Sequence, residues 1–160
     1  RIARRQRQMC IRDRLKILND EICETTSRGM FVTMIVGVYD KNKNELLLAN
    51  AGHEPPLIFS KDGNFKTIDE AGPPLGIAPN FKFSEQTISF KESSMYIFTD
   101  GITEMKNNNG EMLGQEGFQD YIKKYQTTPN NKRLQKMIED LISSGRIQKD
   151  DLTIVTVDGN

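Results

Sequence analysis

Two acidic features stand where a carboxylate could meet a cation. Asp100-Gly101 follows the apolar run Met95-Tyr96-Ile97-Phe98-Thr99, and Asp150-Asp151 precedes the run Leu152-Thr153-Ile154-Val155-Thr156-Val157. Each run reads as a buried strand, so one carboxylate sits at a strand's exit and the other at a strand's entry. Two strands of one sheet would bring these carboxylates to a common rim, where hard divalent ions take oxygen ligands. Taken alone, an Asp-Gly turn and a solvated acidic loop explain the same residues without a metal.

Other polar residues near these runs have structural explanations close at hand. Gly101 lets the backbone turn sharply beside a metal or phosphate, because it carries no Cβ. Thr99 and Thr103 can cap or hydrogen-bond the loop, and Glu104 is expected in the first turn of a short helix, where acidic side chains are favoured. His53 is the lone histidine. Within Ala51-Gly52-His53-Glu54-Pro55-Pro56 it leaves a strand and enters a proline turn, so locking the loop by hydrogen bonds is preferred over proton donation. Asn50 is suited to satisfying buried backbone groups nearby. With no obvious Ser/His/Asp or Cys/His nucleophile arrangement in the chain, the carboxylates must carry any hydrolytic chemistry.

The elements that would position these residues follow from periodicity. Ile11, Leu15, Leu18 and Ile22 recur at helical spacing, predicting a helix that ends near Thr25. Met30 to Tyr39 is apolar on both alternating sets, which predicts a strand covered on both faces. The polar turn Asp40 to Asn44 joins it to a strand over Glu45 to Ala51, and a second hairpin is expected from Leu57-Ile58-Phe59 and Phe65 to Ile68. Ala71 to Pro79, with Pro73, Pro74 and Pro79, reads as a shaped loop without a regular element. Phe83 to Phe90 and Met95 to Thr99 read as strands. Helices are predicted around Phe118 to Tyr125 and, behind Pro129-Asn130, around Leu134 to Ile142. The strands Met30 to Tyr39, Glu45 to Ala51, Met95 to Thr99 and Leu152 to Val157 are expected in one packed β core with the helices outside, an α+β fold.

Composition narrows the function classes. At 160 residues, with 22 acidic and 22 basic side chains, the chain has the length of one domain and no global electrostatic pull towards nucleic acid or membrane surfaces. No Arg/Lys stripe is interleaved with aromatics, so nucleic acid is excluded as a partner, and no membrane segment is read. Cys10 and Cys23 lack metal-ligand spacing, which fits a reducing cytoplasm. Residues 1–14 are arginine-rich with Asp13 as the single acidic residue. They are read as a basic junction or artefactual segment, set apart from the domain over 15–160.

Four motifs occur in order: Asn50-Ala51-Gly52-His53-Glu54-Pro55-Pro56-Leu57, Gly72-Pro73-Pro74-Leu75-Gly76-Ile77, Tyr96-Ile97-Phe98-Thr99-Asp100-Gly101-Ile102-Thr103-Glu104 and Asp150-Asp151-Leu152-Thr153. Their series, from about Leu15 to Val157, resembles the stage II sporulation protein E (SpoIIE) type of serine/threonine phosphatase, the bacterial branch of the metal-dependent PPM superfamily. The family's opening Gly-Asp motif and its Gly-Asp-Val-x-Gly-His-Gly segment are not present here. The resemblance therefore implies the C-terminal portion of a layered αββα sandwich that lacks its first strands.

It further implies that Asp100 and Asp150 are metal ligands, with Asp151 a secondary candidate, and that the intact domain uses two Mn2+ or Mg2+ ions to activate water. Gly101, His53 and Asn50 would shape the site. The implied activity is hydrolysis of phosphoserine or phosphothreonine on a regulatory protein, such as an anti-sigma-factor antagonist, in bacterial signalling under an attached or separate sensor or receiver domain. The parent protein is expected to be the active enzyme and this chain alone inactive. A non-catalytic pseudophosphatase module is the alternative, since half of the expected metal cage is lacking. A small carbohydrate- or lipid-binding β-sandwich leaves the ordered motifs unexplained.

Overall fold

The structure is a computed structural model that describes residues 10–26, 29–68 and 71–159. The basic run over residues 1–9 lies outside the described residues. In chain order the elements are α1 (Ile11–Thr25), β1 (Met34–Asp40), β2 (Glu45–Ala51), β3 (Leu57–Ser60), β4 (Phe65–Thr67), β5 (Ala71–Gly72), β6 (Gln86–Ser89), β7 (Ser93–Phe98), α2 (Asp100–Thr103), α3 (Gly114–Lys124), α4 (Asn130–Ser143) and β8 (Ile154–Asp158). They fall into two units. One comprises the described residues up to His53 and those from 71 to Ser89; the other comprises Glu54–Ile68 and the described residues from Phe90 onward.

In the first unit, β1 and β2 form the expected antiparallel hairpin, in register from Met34↔Ala51 to Asp40↔Glu45. The Asp40 carboxylate closes the turn by accepting the Asn42 and Lys43 amides at 2.9 and 3.2 Å. β2 also pairs with β6 antiparallel and with the two-residue β5 in parallel. Helix α1 packs its apolar stripe into this unit: Ile11 and Leu15 are buried in one cluster with Ala49, Ala51, Leu75 and Phe83. The helix begins at Ile11 and ends at Thr25, as the spacing of Ile11, Leu15, Leu18 and Ile22 predicts.

Two expectations are corrected here. Met30 to Tyr39 is not one strand covered on both faces: β1 starts at Met34, Met30 and Phe31 are exposed, and Val38 within the strand is 53% exposed. Among the described residues β1 pairs only with β2, which leaves it at the border of its sheet rather than at the centre. The Gly/Pro stretch is not wholly irregular either. Ala71–Gly72 forms β5 just before the prolines, and Leu75 bridges Val32.

The second unit holds a fully antiparallel sheet in the order β4-β3-β7-β8. Tyr96 and Phe98 on β7 are buried with Leu57 and Phe59 on β3, and α2 to α4 supply Ile102, Phe118, Ile122, Met137 and Leu141 to the same cluster. Phe118 is central. Its ring centroid stands 4.8 Å from that of Phe98 and 6.5 Å from that of Tyr96, the latter edge-on, and such pairs each add about 1 kcal/mol beyond burial. The four strands expected in one β core therefore divide between two sheets, β1 and β2 in the first unit and β7 and β8 in the second. The helix expected to carry Glu104 in its first turn is the single-turn α2. Asp100 occupies that first turn, and Glu104 is the C-cap.

Candidate metal centre

β7 and β8 are neighbours, paired antiparallel from Ser94↔Asp158 to Phe98↔Ile154. The exit of β7 and the entry of β8 therefore lie at the same end of the sheet. Asp100 follows β7 by two residues and Asp150-Asp151 precedes β8 by a few, so a separation of fifty residues in sequence closes to one rim in space. All three aspartates are exposed.

The backbone contact between the two loops is close. A Cβ built on Gly101 would stand 2.5 Å from the Asp151 carbonyl oxygen and 3.5 Å from the Asp150 carbonyl carbon. A side chain there would force the backbone to shift, so the need for Gly101 is steric: the close approach of the Asp151 main chain, not a positive φ, is what matters. Thr99 adds three hydrogen bonds across the same seam. Its amide donates to the Thr153 carbonyl at 3.2 Å, its hydroxyl donates to the Asp151 carbonyl at 3.1 Å, and the same oxygen accepts the Thr153 amide at 3.2 Å.

Each acidic side chain is set differently. The Asp150 carboxylate accepts the Asp151 amide at 2.7 Å, while Gln148 donates to the Asp150 carbonyl at 3.0 Å. These contacts hold the loop in a tight bend with part of the carboxylate outward. Asp100 is held through its backbone: its carbonyl accepts the Thr103 hydroxyl at 3.1 Å and the Glu104 amide at 2.8 Å, leaving the side chain on the surface. A hollow of about 300 Å3 is lined by Gln148, Lys149, Asp150 and Asp151. Beside it lies a cavity of about 480 Å3, whose walls include Ile102, Leu141, Leu152 and Ile154 with Asp151 at its edge.

The donor chemistry fits a hard divalent cation: exposed carboxylate oxygens on two backbone segments that approach closely. The set is a pair rather than a cage. Among the described residues no group of three or more His, Cys, Asp or Glu side chains is gathered to hold a metal.

Asn50 and His53 belong to the first unit. Asn50 is 1% exposed and clasps the turn after β2, its amide donating to the His53 carbonyl and its carbonyl accepting the His53 amide, both at 2.9 Å. Gly52 within that turn has φ +69, and a Cβ there would meet Pro74 at 2.5 Å. The geometry gives Asn50 a backbone-satisfying position and fixes the His53 main chain.

Sequence reading passed over two groups. The bridging reach of the Thr99 hydroxyl was visible only as a general capping capacity. Arg133, 6% exposed, pairs with Asp158, which also accepts the Ser94 hydroxyl at 2.5 Å. Its guanidinium lies 5.7 Å from the Tyr96 ring centroid. The signal for Arg133 was its place one turn before Met137 and two before Leu141, on the buried face of α4.

The family model for stage II sporulation protein E (SpoIIE) matches residues 3–159. Protein IcfG of Synechocystis is 30% identical over 152 residues, covering 89% of this chain and 23% of that protein. Phosphoserine phosphatase RsbU of Bacillus subtilis is 27% identical over 146 residues, covering 89% of this chain and 43% of RsbU. The chain thus spans less than half the length of either relative. Among solved structures, the RsbU and RsbW domains of Rv1364c from Mycobacterium tuberculosis superpose with a TM-score of 0.76 at 21% identity, over 93% of this chain and 42% of that one. The manganese-presoaked phosphatase domain of SpoIIE from Bacillus subtilis gives 0.67 at 17% identity, over 97% and 68%. With a family match across nearly its whole length, and a fold shared with the phosphatase domain of SpoIIE, the chain belongs to the stage II sporulation protein E (SpoIIE) family.

Proposed function

We propose that this chain supplies one side of the active centre of a metal-dependent protein serine/threonine phosphatase, with Asp100 and Asp150 as metal ligands. The observation that supports the reading is the pairing of β7 with β8, which brings the backbones of Asp100 and Asp150-Asp151 to one end of the sheet, with Gly101 packed against the Asp151 carbonyl. Mn2+ or Mg2+ held there, two ions in the complete site, would supply Lewis acidity towards the phosphoryl oxygens and lower the pKa of water. Asp151 shapes the loop through its main chain, its carbonyl accepting the Thr99 hydroxyl and its amide donating to the Asp150 carboxylate, and its own carboxylate is the secondary candidate for coordination.

Asp100, Asp150 and Asp151 are exposed just beyond the ends of β7 and β8, where a phosphorylated side chain of another protein can approach. The substrate is a phosphoserine or phosphothreonine protein of a bacterial signalling pathway, such as an anti-sigma-factor antagonist, and a sensor or receiver domain governs the activity. A cytoplasmic site of action suits such partners, and no helix among the described residues is long and apolar enough to cross a membrane.

The test is hydrolysis of a phosphoserine protein by the product of the full reading frame, over a Mn2+ and Mg2+ titration, beside Asp100→Asn. Metal-dependent turnover that Asp100→Asn abolishes is expected. Turnover unchanged by that substitution removes Asp100 from the site, and absence of turnover at any metal concentration favours a regulatory module without catalysis.

A further inference from the structure

Thr99 is placed to do more than end a strand. One hydroxyl bridges two points of the opposite loop, donating to the Asp151 carbonyl at 3.1 Å and accepting the Thr153 amide at 3.2 Å, while the Thr99 amide donates to the Thr153 carbonyl at 3.2 Å. A hydroxyl has the single donor and the lone pairs needed to do both at once. The residue that carries it directly precedes Asp100, and the carbonyl it grips belongs to the residue directly after Asp150. Between them Gly101 leaves no free space: a Cβ there would lie 2.5 Å from the same Asp151 oxygen.

β-ladder pairing alone does not fix this seam. The regular register stops at Phe98↔Ile154, and both aspartates lie beyond it, Asp100 at the start of the single-turn α2 and Asp150 in the exposed segment before β8. Beyond the ladder, the contacts nearest the two aspartates are those of Thr99 and the Gly101 approach; farther from them, Lys106 and Ile147 exchange backbone hydrogen bonds at 3.3 and 2.8 Å. Asp150 is in turn bent by its own contact with the Asp151 amide at 2.7 Å, so a shift of residue 151 is passed to the Asp150 carboxylate.

We propose that Thr99 is a positioning residue: its hydroxyl sets the spacing of the Asp100 and Asp150 carboxylates and thereby the affinity of the site for a divalent cation. The proposal rests on the metal-ligand reading above. It assigns no chemistry to Thr99 itself, which acts through the backbone of residues 151 and 153.

Two measurements on this chain separate the clasp from the metal. Amide hydrogen exchange by NMR reads the clasp without any ion, and Mn2+-induced broadening of the Gly101 and Asp151 amide signals reads cation binding. Thr99→Val keeps the shape and removes the hydroxyl; Thr99→Ser keeps the hydroxyl. In Thr99→Val the Thr153 amide is expected to exchange about ten-fold faster, and the Mn2+ concentration for half-maximal broadening to rise by about ten-fold, the scale seen when groups that orient metal ligands are lost. Thr99→Ser should restore both.

Unchanged Thr153 exchange in Thr99→Val overturns the clasp. Faster exchange with unchanged Mn2+ response shows a purely structural contact and overturns the positioning role. No broadening of either loop in the unsubstituted chain overturns the metal-ligand reading and the proposal with it, whatever the exchange data show. Should Thr99→Val fail to fold, a Thr99→Ser response identical to that of Thr99→Ala still supports overturning, because the hydroxyl would then be without effect.

Discussion

Individual residues at the rim are constrained by distance more than by chemistry. Gly101→Ala puts a methyl group 2.5 Å from the Asp151 carbonyl oxygen, a contact that only backbone movement relieves, because the neighbour is main chain. Overpacking of this kind costs about 1–3 kcal/mol. Urea unfolding of Gly101→Ala should show that loss, together with weaker Mn2+ broadening at Asp151; a variant as stable as the original chain would show that the loop yields freely. Arg133 makes the opposite case, a charge removed from water yet paired. Its side chain is 7% exposed and that of Asp158 26%, so Arg133→Ala leaves a partly solvated carboxylate without its cation and a void against Tyr96. Breaking a fully buried pair costs several kcal/mol, and the partial exposure of Asp158 reduces the expectation to about 2 kcal/mol. Thermal or urea unfolding decides it. Burial is the chief cause that raises the Tyr96 phenol above its ordinary value.

Among the elements, α1 and the Gly/Pro loop are joined by side chains that the sequence pattern does not announce. Asn19, fully buried, donates to the Ala78 carbonyl at 2.8 Å and accepts the Gly76 amide at 3.0 Å; Asp20 accepts the Asn80 amide at 2.7 Å. The hydrogen bond from Lys16, and then that from the Asn80 amide, hold the Asp20 carboxyl below its ordinary value of 3.8. A carboxyl lowered on folding stabilises the native contact above that ordinary value and loses the contribution as pH falls through the folded-state value. The Asn80 amide should therefore exchange faster, relative to its intrinsic rate, once pH drops below 3.8, while the Gly76 amide, held by the non-titrating Asn19, should not follow. Asp20→Asn should flatten the Asn80 response; a response that persists in that variant assigns it to another group. Periodicity made α1, the two hairpins, α3, α4 and the strands around the rim legible, since each depends on which residues alternate or recur. It could not reveal that β1 borders its sheet with Val38 exposed, because an apolar strand reads the same whether or not a neighbour covers it. Glu104 was misplaced for a related reason: α2 is a single turn, too short for any periodic signal, and its start is set by the Asp100 backbone. The burial of Arg133 ran against its type, although its spacing with Met137 and Leu141 was present to be read.

At the scale of the molecule, what limits function is the number of carboxylates brought together. The apolar runs Met95 to Thr99 and Leu152 to Val157 made two strands legible, whereas their antiparallel pairing, which brings the Asp100 and Asp150 backbones to one end of the sheet, is seen only in the structure. The described residues nevertheless assemble no group of three or more potential ligands. A pair of exposed carboxylates can hold one divalent ion weakly, but a hydrolytic site with two ions must also fix an attacking water in line with phosphorus. Further ligands are needed for that. Expressed alone, the 160-residue chain is therefore expected to show metal-dependent turnover of a phosphoserine protein no higher than background, while still binding Mn2+ at Asp100 and Asp150 in the millimolar range or weaker, on the order of 10⁻³ M. Phosphate release and Mn2+ broadening, measured on one preparation, read the two halves of this expectation separately. Robust turnover by the chain alone would mean that two aspartates suffice and that the remaining chemistry comes from residues not yet assigned, whereas binding without turnover locates the deficit in ligand number rather than in the fold.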